Sequence, residues 1–359
     1  MLIRSQNVRM NELTLEDVAY VTHEIDAGMN RSRVRRGDVL LNITGASIGR
    51  VASFELENVR ANVNQHVCII RPKPNALLSR YATHLISSRE FQGEIDRLQH
   101  GGTRQALTFS QIAEFKIPLP PLAEQRRIAA VLDAAEALRA KRRAALAQLD
   151  TLTQAIFIEM FGDPVTNSRG WPLKKFREIG SLDRGVSTNR PRNAPELLGG
   201  AYPLIQTGEI ANSDGYVRGY TSTYSEAGLK QSKMWPAGTL CITIAANIAK
   251  TGILTFPACF PDSIVGFRAE NPATVQFVRV WLSFLQKTLE ENAPESAQKN
   301  INLGMLRELL VPCPPIEDRE EFARRVTALE KLKATQRAAL TQLNALFASL
   351  QHRAFRGEL

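Results

Sequence analysis

Two stretches of this chain decide its architecture: Ile117–Gly162, IPLPPLAEQRRIAAVLDAAEALRAKRRAALAQLDTLTQAIFIEMFG, and Val311–Arg356, VPCPPIEDREEFARRVTALEKLKATQRAALTQLNALFASLQHRAFR. They align without a gap at an offset of 194 residues, up to Phe161 and Phe355. Pro118, Pro120 and Pro121 match Pro312, Pro314 and Pro315; Arg143–Leu146 matches Arg337–Leu340, and Gln148-Leu149 matches Gln342-Leu343. A gap-free match of this length identifies an internal duplication. Upstream the likeness is looser. Arg35–Thr44 resembles Trp235–Ile244, Ser47–Arg50 parallels Asn247–Lys250, and Gln105–Phe109 parallels Lys299–Leu303.

Each tail reads as one long helix. A Pro-Pro pair precedes it, and proline is tolerated in a first helical turn. Glu124 and Asp318 fall in that turn, where the positive end of the helix dipole favours them. Phe161-Gly162-Asp163-Pro164 supplies a glycine stop followed by proline. Apolar residues recur with 3-4 spacing. The predicted seam is Ala135, Leu138, Arg142, Ala145, Leu149, Leu152 and Ile156 in the first helix, and Leu329, Leu332, Gln336, Ala339, Leu343, Leu346 and Leu350 in the second. This is a coiled-coil pattern, so the two helices are expected to pair, with polar Arg142 and Gln336 fixing register at equivalent positions. About 40 residues at 1.5 Å each would make a rod of roughly 60 Å.

Ahead of each helix the pattern is mixed α/β. Val39–Ile43, Val67–Ile70 and Leu240–Ile244 are short apolar runs suited to strands, while Tyr81–Gln92 and Thr274–Leu289 suit amphipathic helices. The predicted class is α+β: two mixed α/β domains joined by two long helices. The boundaries are 1–118, first domain; 119–162, central helix; 163–312, second domain; 313–359, C-terminal helix. The second domain opens with Trp171–Pro203, 33 residues without a counterpart in the first half. The first domain is therefore expected to lack its opening segment.

The formal charge of +9, from 45 Lys plus Arg against 36 Asp plus Glu, favours a polyanionic partner, most simply nucleic acid. Chemistry is sparse. No phosphate-cradling GxxxxGK[ST] loop and no GxGxxG after a strand occur. Asn271-Pro272-Ala273 lacks the aromatic of an adenine-methyltransferase motif. His23, His66, His84, His100 and His352 are scattered, and no lysine completes a nuclease-like cluster near Asp38 and Glu55. Glu290-Glu291 and Glu320-Glu321 read as solvated helix faces. The four cysteines form no CxxC pair, and Cys68 and Cys241 lie in apolar runs, as buried thiols would in a reducing cytoplasm. No apolar stretch approaches the roughly 20 residues of a membrane span.

Polar loops recur at equivalent places in both halves. Arg reads guanine, Asn and Gln read adenine, and Lys and Arg hold phosphates. The candidate DNA-binding residues are Arg4, Gln6, Asn7, Arg9, Ser47, Arg50, Arg104 and Gln105 in the first half, and Gln206, Thr207, Asn247, Lys250, Gln298, Lys299 and Asn300 in the second. For any one of them alone, a turn residue or a solvated side chain remains the alternative.

Gly37–Leu40, Gly238–Ile244, Leu119–Gln125, Cys313–Ile316, Gln298–Ile301 and Phe355–Leu359, in this doubled order, resemble the specificity subunits of Type I restriction-modification systems, over nearly the whole chain. The resemblance implies two target recognition domains, each reading half of a bipartite double-stranded DNA site. It implies that the two helices form an antiparallel coiled coil that spaces the half-sites and docks two modification subunits. Those partners would carry S-adenosylmethionine and the methyl-transfer chemistry, with no cofactor in this chain. A restriction motor-nuclease subunit would join them, and this chain would not be catalytic. A scaffold whose shortened first domain reads no DNA, and a free-standing DNA-binding regulator, remain the alternatives.

Overall fold

The computed structural model describes residues 1–99, 106–189, 191–245, 248–291 and 301–359. It divides into two compact units, Met1–Leu146 with Thr335–Leu359, and Ala147–Ala334. The long helices run Leu122–Phe161 and Ile316–Phe355, and each starts directly after its Pro-Pro pair. Gly162 ends the first at φ +78°, a left-handed conformation that glycine adopts without penalty.

In the first unit, strand Asp38–Asn42 lies between Val51–Phe54 and Val67–Ile70, antiparallel to both. A second small sheet orders Leu2–Ile3, Ala61–Val63 and Arg33–Val34. The expected single helix over Tyr81–Gln92 is two helices, Ser79–Ile86 and Arg89–Gln99. Ser88 separates them because its hydroxyl accepts from the Phe91 N–H at 3.3 Å and restarts the chain as a new helix. Val39, Leu41, Tyr81, Leu85 and Ile86 form one core with Ile128 and Leu132 of the first long helix and Phe347 and Ala354 of the second.

The second unit repeats this plan with more strands. Leu240–Thr243 lies between Thr251–Leu254 and Ile264–Arg268; Ser181–Arg184 and Tyr216–Val217 extend the sheet at its two edges. A four-stranded sheet orders Ser222–Tyr224, Leu198–Leu204, Ala258–Cys259 and Met234–Trp235. Helix Pro272–Glu291 contributes Val278, Trp281 and Leu282 to a core that also holds Phe157, Phe161 and Phe322 of the long helices. Cys68 lies in the first unit's core and Cys241 in a separate cluster of the second, with Trp235 and Phe260, both as buried free thiols. Burial raises the Cys68 thiol to about 11, which keeps it protonated at neutral pH.

Hydrogen bonds align the two copies. Gly37 N–H donates to the Phe54 carbonyl as Gly238 N–H does to that of Leu254, both at 2.8 Å. Ile43 N–H reaches the His66 carbonyl as Ile244 N–H reaches that of Ser263, both at 3.0 Å. This matches Gly37 with Gly238, one residue away from the register expected when Arg35 is set against Trp235. The two glycines turn at φ +85° and +84°.

The long helices run antiparallel within each unit. In the first, Arg127 reaches the carbonyl of Leu359 at 2.8 Å, Arg139 the side chain of Asn344 at 2.8 Å, and Arg142 donates to Gln336. In the second, Asp150 pairs with Lys333 at 3.0 Å and Glu159 with Arg325 at 3.8 Å. Arg142 and Gln336 thus meet, as the pattern predicts. Four of the fourteen expected seam positions are displaced, however. Leu138, Leu152, Leu332 and Leu346 are 53, 41, 45 and 52 % exposed. The inward positions are their C-terminal neighbours Arg139, Thr153, Lys333 and Phe347. The stripe starts from residues already fixed in the domain cores, Ile128 and Leu132 in one helix, Phe322, Val326 and Leu329 in the other. Continued from Leu132 with 3-4 spacing, it passes through Ala135, Arg139, Arg142, Leu146, Leu149 and Thr153. The outward leucines form a pattern of their own that competes with it in the sequence. Arg139 is accommodated by Glu136 and by stacking over the Phe347 ring, its guanidinium 4.3 Å from the ring centre. Lys333 is 6 % exposed and lies 3.0 Å from Asp150 and 3.4 Å from Glu330.

Candidate DNA interface

The strand ends of each unit converge on a polar surface. In the second unit, strand Leu198–Leu204 runs into Gln206, whose backbone N–H donates to the Glu209 carboxylate at 3.2 Å and caps helix Thr207–Ala211. Gln206 is exposed and Thr207 half-buried. Both line a cavity of about 480 Å³ with Arg192, Asn193, Ser222 and Ser263. Arg192 is held there by Asp262 at 2.5 Å. Lys250 sits at the turn after strand Leu240–Thr243, and its N–H is held by the Thr243 hydroxyl at 3.1 Å. The preceding residue, Ala249, is buried at φ +57°, a costly conformation for a residue with a Cβ.

The first unit repeats the arrangement. Arg4 occupies the place of Gln206, and its N–H donates to the Asn7 side chain at 3.0 Å as that of Gln206 does to Glu209. Arg50 corresponds to Lys250: its carbonyl accepts from Asn42 N–H at 2.8 Å as that of Lys250 accepts from Thr243 at 3.0 Å. Gly49 takes the left-handed position at φ +84°. Arg50 is exposed, and Ser47 lies half-buried on the same turn. Gln6 and Arg9 are exposed, with Arg9 3.7 Å from Glu16. Asn64 N–H binds the Ile3 carbonyl at 3.1 Å, and Thr44 meets the His66 ring at 2.7 Å, which brings these polar side chains to the same end as Arg4.

Asn7 departs from expectation. It is fully buried, and its amide donates to the Thr14 and Glu16 carbonyls at 3.3 and 3.1 Å while its oxygen caps Arg4. Both its amide nitrogen and its oxygen are engaged in organising the loop, and the buried side chain presents no group to a base edge. Arg4 spends one guanidinium nitrogen on the Asp17 carbonyl at 2.6 Å. Arg104, Gln105, Asn247, Gln298, Lys299 and Asn300 lie outside the described residues.

Thr44, His66, Arg192, Asn193, Ser222 and Ser263 were not singled out from sequence. His66 and Ser263 reach the surface through cross-strand pairing, and each looks isolated along the chain. Asp38 has a structural role: it is buried and bidentate to Arg71, with both contacts at 2.7 Å, and it caps Arg35 N–H at 2.6 Å. Glu55 accepts from the Ser79 hydroxyl. Among the described residues no cluster of His, Cys, Asp or Glu could hold a metal ion, and no helix is long and apolar enough to cross a membrane.

Each unit thus sets a mixed α/β domain with a polar strand-end surface against segments of the two long helices. The chain belongs to the Type I restriction modification DNA specificity domain family, whose description matches residues 22–148 and 169–344. It is 26 % identical over 333 residues to the type I restriction enzyme EcoBI specificity subunit of Escherichia coli, covering 83 % of this chain and 69 % of that one. It is 20 % identical over 352 residues to a putative type I restriction enzyme MjaX specificity subunit of Methanocaldococcus jannaschii, covering 95 % and 83 %. The fold is shared with the S subunit of a type I restriction-modification system from M. genitalium, at a TM-score of 0.55 and 18 % identity over 89 % of this chain and 83 % of that one.

Proposed function

We propose that this chain is the sequence-reading subunit of a Type I restriction-modification complex, binding a bipartite double-stranded DNA site through domains 1–118 and 163–312. The observation that carries this reading is the doubled family match, over residues 22–148 and 169–344, which include Arg50 and Lys250 at equivalent turns. The equivalent positions differ in chemistry: Arg4 against Gln206, and Arg50 against Lys250. Two readers of different half-sites need such differences, because Arg suits guanine and Gln suits adenine. Arg50 and Lys250 supply positive charge for phosphates, which sets register without reading sequence.

The chain is not catalytic in this reading. Its helices, 119–162 and 313–359, dock two modification subunits that bring S-adenosylmethionine, and a motor-nuclease subunit joins for restriction, all in the cytoplasm. The outward leucines support the docking role. Leu138 and Leu346 are exposed in the first unit, Leu152 and Leu332 in the second, at duplicated positions, where an unpartnered helix would favour polar residues.

Methylome sequencing of cells that express the chain with its neighbouring modification subunit tests the proposal. A bipartite methylated motif is the expected result. A one-sided motif would assign the first domain a scaffold role, and no motif at all refutes the reading.

A further inference from the structure

The two units differ in how they treat one pair of equivalent positions. Val39 pairs with Ile70 and Leu240 with Phe267, so Arg71 corresponds to Arg268 and Asp38 to Thr239. Arg71 is neutralised, because both Asp38 carboxylate oxygens accept from it at 2.7 Å. Thr239 is buried, donates its hydroxyl to the Pro236 carbonyl at 2.8 Å and brings no charge. Arg268 is exposed and forms no ion pair with a described residue. At the offset of 194 residues, Arg319 corresponds to Gln125. Gln125 is fully buried: its oxygen accepts from Leu78 N–H at 2.9 Å, and its amide donates to the Ala76 and Pro120 carbonyls at 2.8 and 2.9 Å. Arg319 donates to the Thr274 hydroxyl at 2.7 Å, but its Nε is buried without a hydrogen-bond partner among the described residues.

Arg268 and Arg319 line one cavity of the second unit, of about 850 Å³, together with Lys174, Arg177 and Thr274. Lys174 is exposed and forms no ion pair with a described residue, while Arg177 lies 2.7 Å from Glu308. The acidic lining residues are Glu178 and Glu270, both exposed. Four cations against two carboxylates leave the cavity positive. The first turns of helices Pro272–Glu291 and Ile316–Phe355 also border it, and the positive ends of their dipoles add to that potential. The cavity lies away from the candidate DNA surface of the same unit. Strand Ile264–Arg268 starts beside Ser263, which lines the cavity next to Gln206, and its five residues put Arg268 roughly 16 Å further on.

We propose that this cavity binds a phosphorylated small molecule of nucleotide size, with a phosphate group held by Arg268, Arg319 and Lys174. Two guanidinium forks and an ammonium group match the geometry and charge of phosphate. The ligand supplies the acceptor that the buried Nε of Arg319 lacks, and a buried donor left without one is costly. A cavity of about 850 Å³ is of the size that takes small molecules. Its distance from Gln206 and Ser263 favours a free ligand over the backbone of DNA held at that surface. The site is a property of the second unit, because in the first Asp38 neutralises Arg71 and uncharged Gln125 stands in place of Arg319.

The test is isothermal titration calorimetry of the full chain with ATP, inorganic pyrophosphate and adenosine. ATP and pyrophosphate should bind saturably, and adenosine should not. Tighter binding of ATP than of pyrophosphate supports a nucleotide as the ligand; equal affinity supports a site for the phosphate groups alone. Arg268→Gln, at an exposed position, should weaken binding about tenfold with an unchanged Tm. Arg319→Gln, which sets the first copy's residue into the second, should do the same to affinity. No saturable binding of ATP or pyrophosphate, or indifference to both variants, overturns the proposal. In a separate competition, displacement of ATP by duplex DNA also overturns it, because the cavity would then belong to the DNA surface. The titrations themselves contain no DNA, so their failure is distinct from failure of the DNA-reading function.

Discussion

Replacing Phe347 with alanine, beside the parallel replacement of its neighbour Leu346, tests which face of the second long helix is the seam. Phe347 is 5 % exposed, packs in the core with Ile128 and Leu132, and carries the Arg139 guanidinium 4.3 Å from its ring centre. Truncating a buried phenylalanine costs about 3–5 kcal/mol through lost transfer energy and the cavity left behind. Loss of the cation–π contact adds about 1 kcal/mol. Partial collapse of the helix pair offsets some of this, so about 4 kcal/mol is expected. For a unit of this size, about 2–4 °C per kcal/mol puts the fall in Tm near 10 °C. Leu346 is already 52 % exposed. Its truncation loses at most about 1 kcal/mol of burial, and alanine recovers a few tenths in helix propensity. Calorimetry should resolve the first unit's transition, because a chain of two units need not melt in one step. Shifts of similar size in the two variants, or a larger shift in Leu346→Ala, would refute the displaced seam. Normal stability in Leu346→Ala combined with weak assembly with the modification subunit would fit an outward docking face.

Asp133 gives a pH prediction. Burial by itself would raise its carboxyl, but hydrogen bonds from buried His84 and from Arg80 outweigh that and hold it at about 2, below the ordinary 3.8. A carboxylate depressed in the folded state contributes stability that is complete above its unfolded pKa and is lost as pH falls through the folded one. The first unit should therefore lose about 1–2 kcal/mol between roughly pH 4 and 2, after discount for partial exposure of the carboxylate. Asp133→Asn should flatten this part of the denaturation profile, and an unchanged slope would remove Asp133 as its source. Arg50→Ala and Lys250→Ala should each weaken DNA binding across all sequences and lower the salt slope by about one, read from titrations at several salt concentrations. A change in preferred sequence with an unchanged slope would instead make either residue a base reader.

The sequence alone determined the duplication, the long helices and their ends, because a gap-free repeat, proline pairs and a glycine stop are local signals. It also placed the central strands and the meeting of Arg142 with Gln336. Tertiary structure decided the face on which the helices pack. Either side of the apolar stripe satisfies a 3-4 pattern, and the choice was made by Ile128, Leu132, Phe322 and Val326, already committed to the domain cores. The partners of a polar side chain were equally non-local. Nothing next to Asn7 in sequence announces that its amide closes a loop with Thr14 and Glu16, and nothing next to His66 announces that strand pairing carries it to Thr44. Long-range pairing aligns residues by strand register, and a register is a property of two segments together, which neither segment carries by itself.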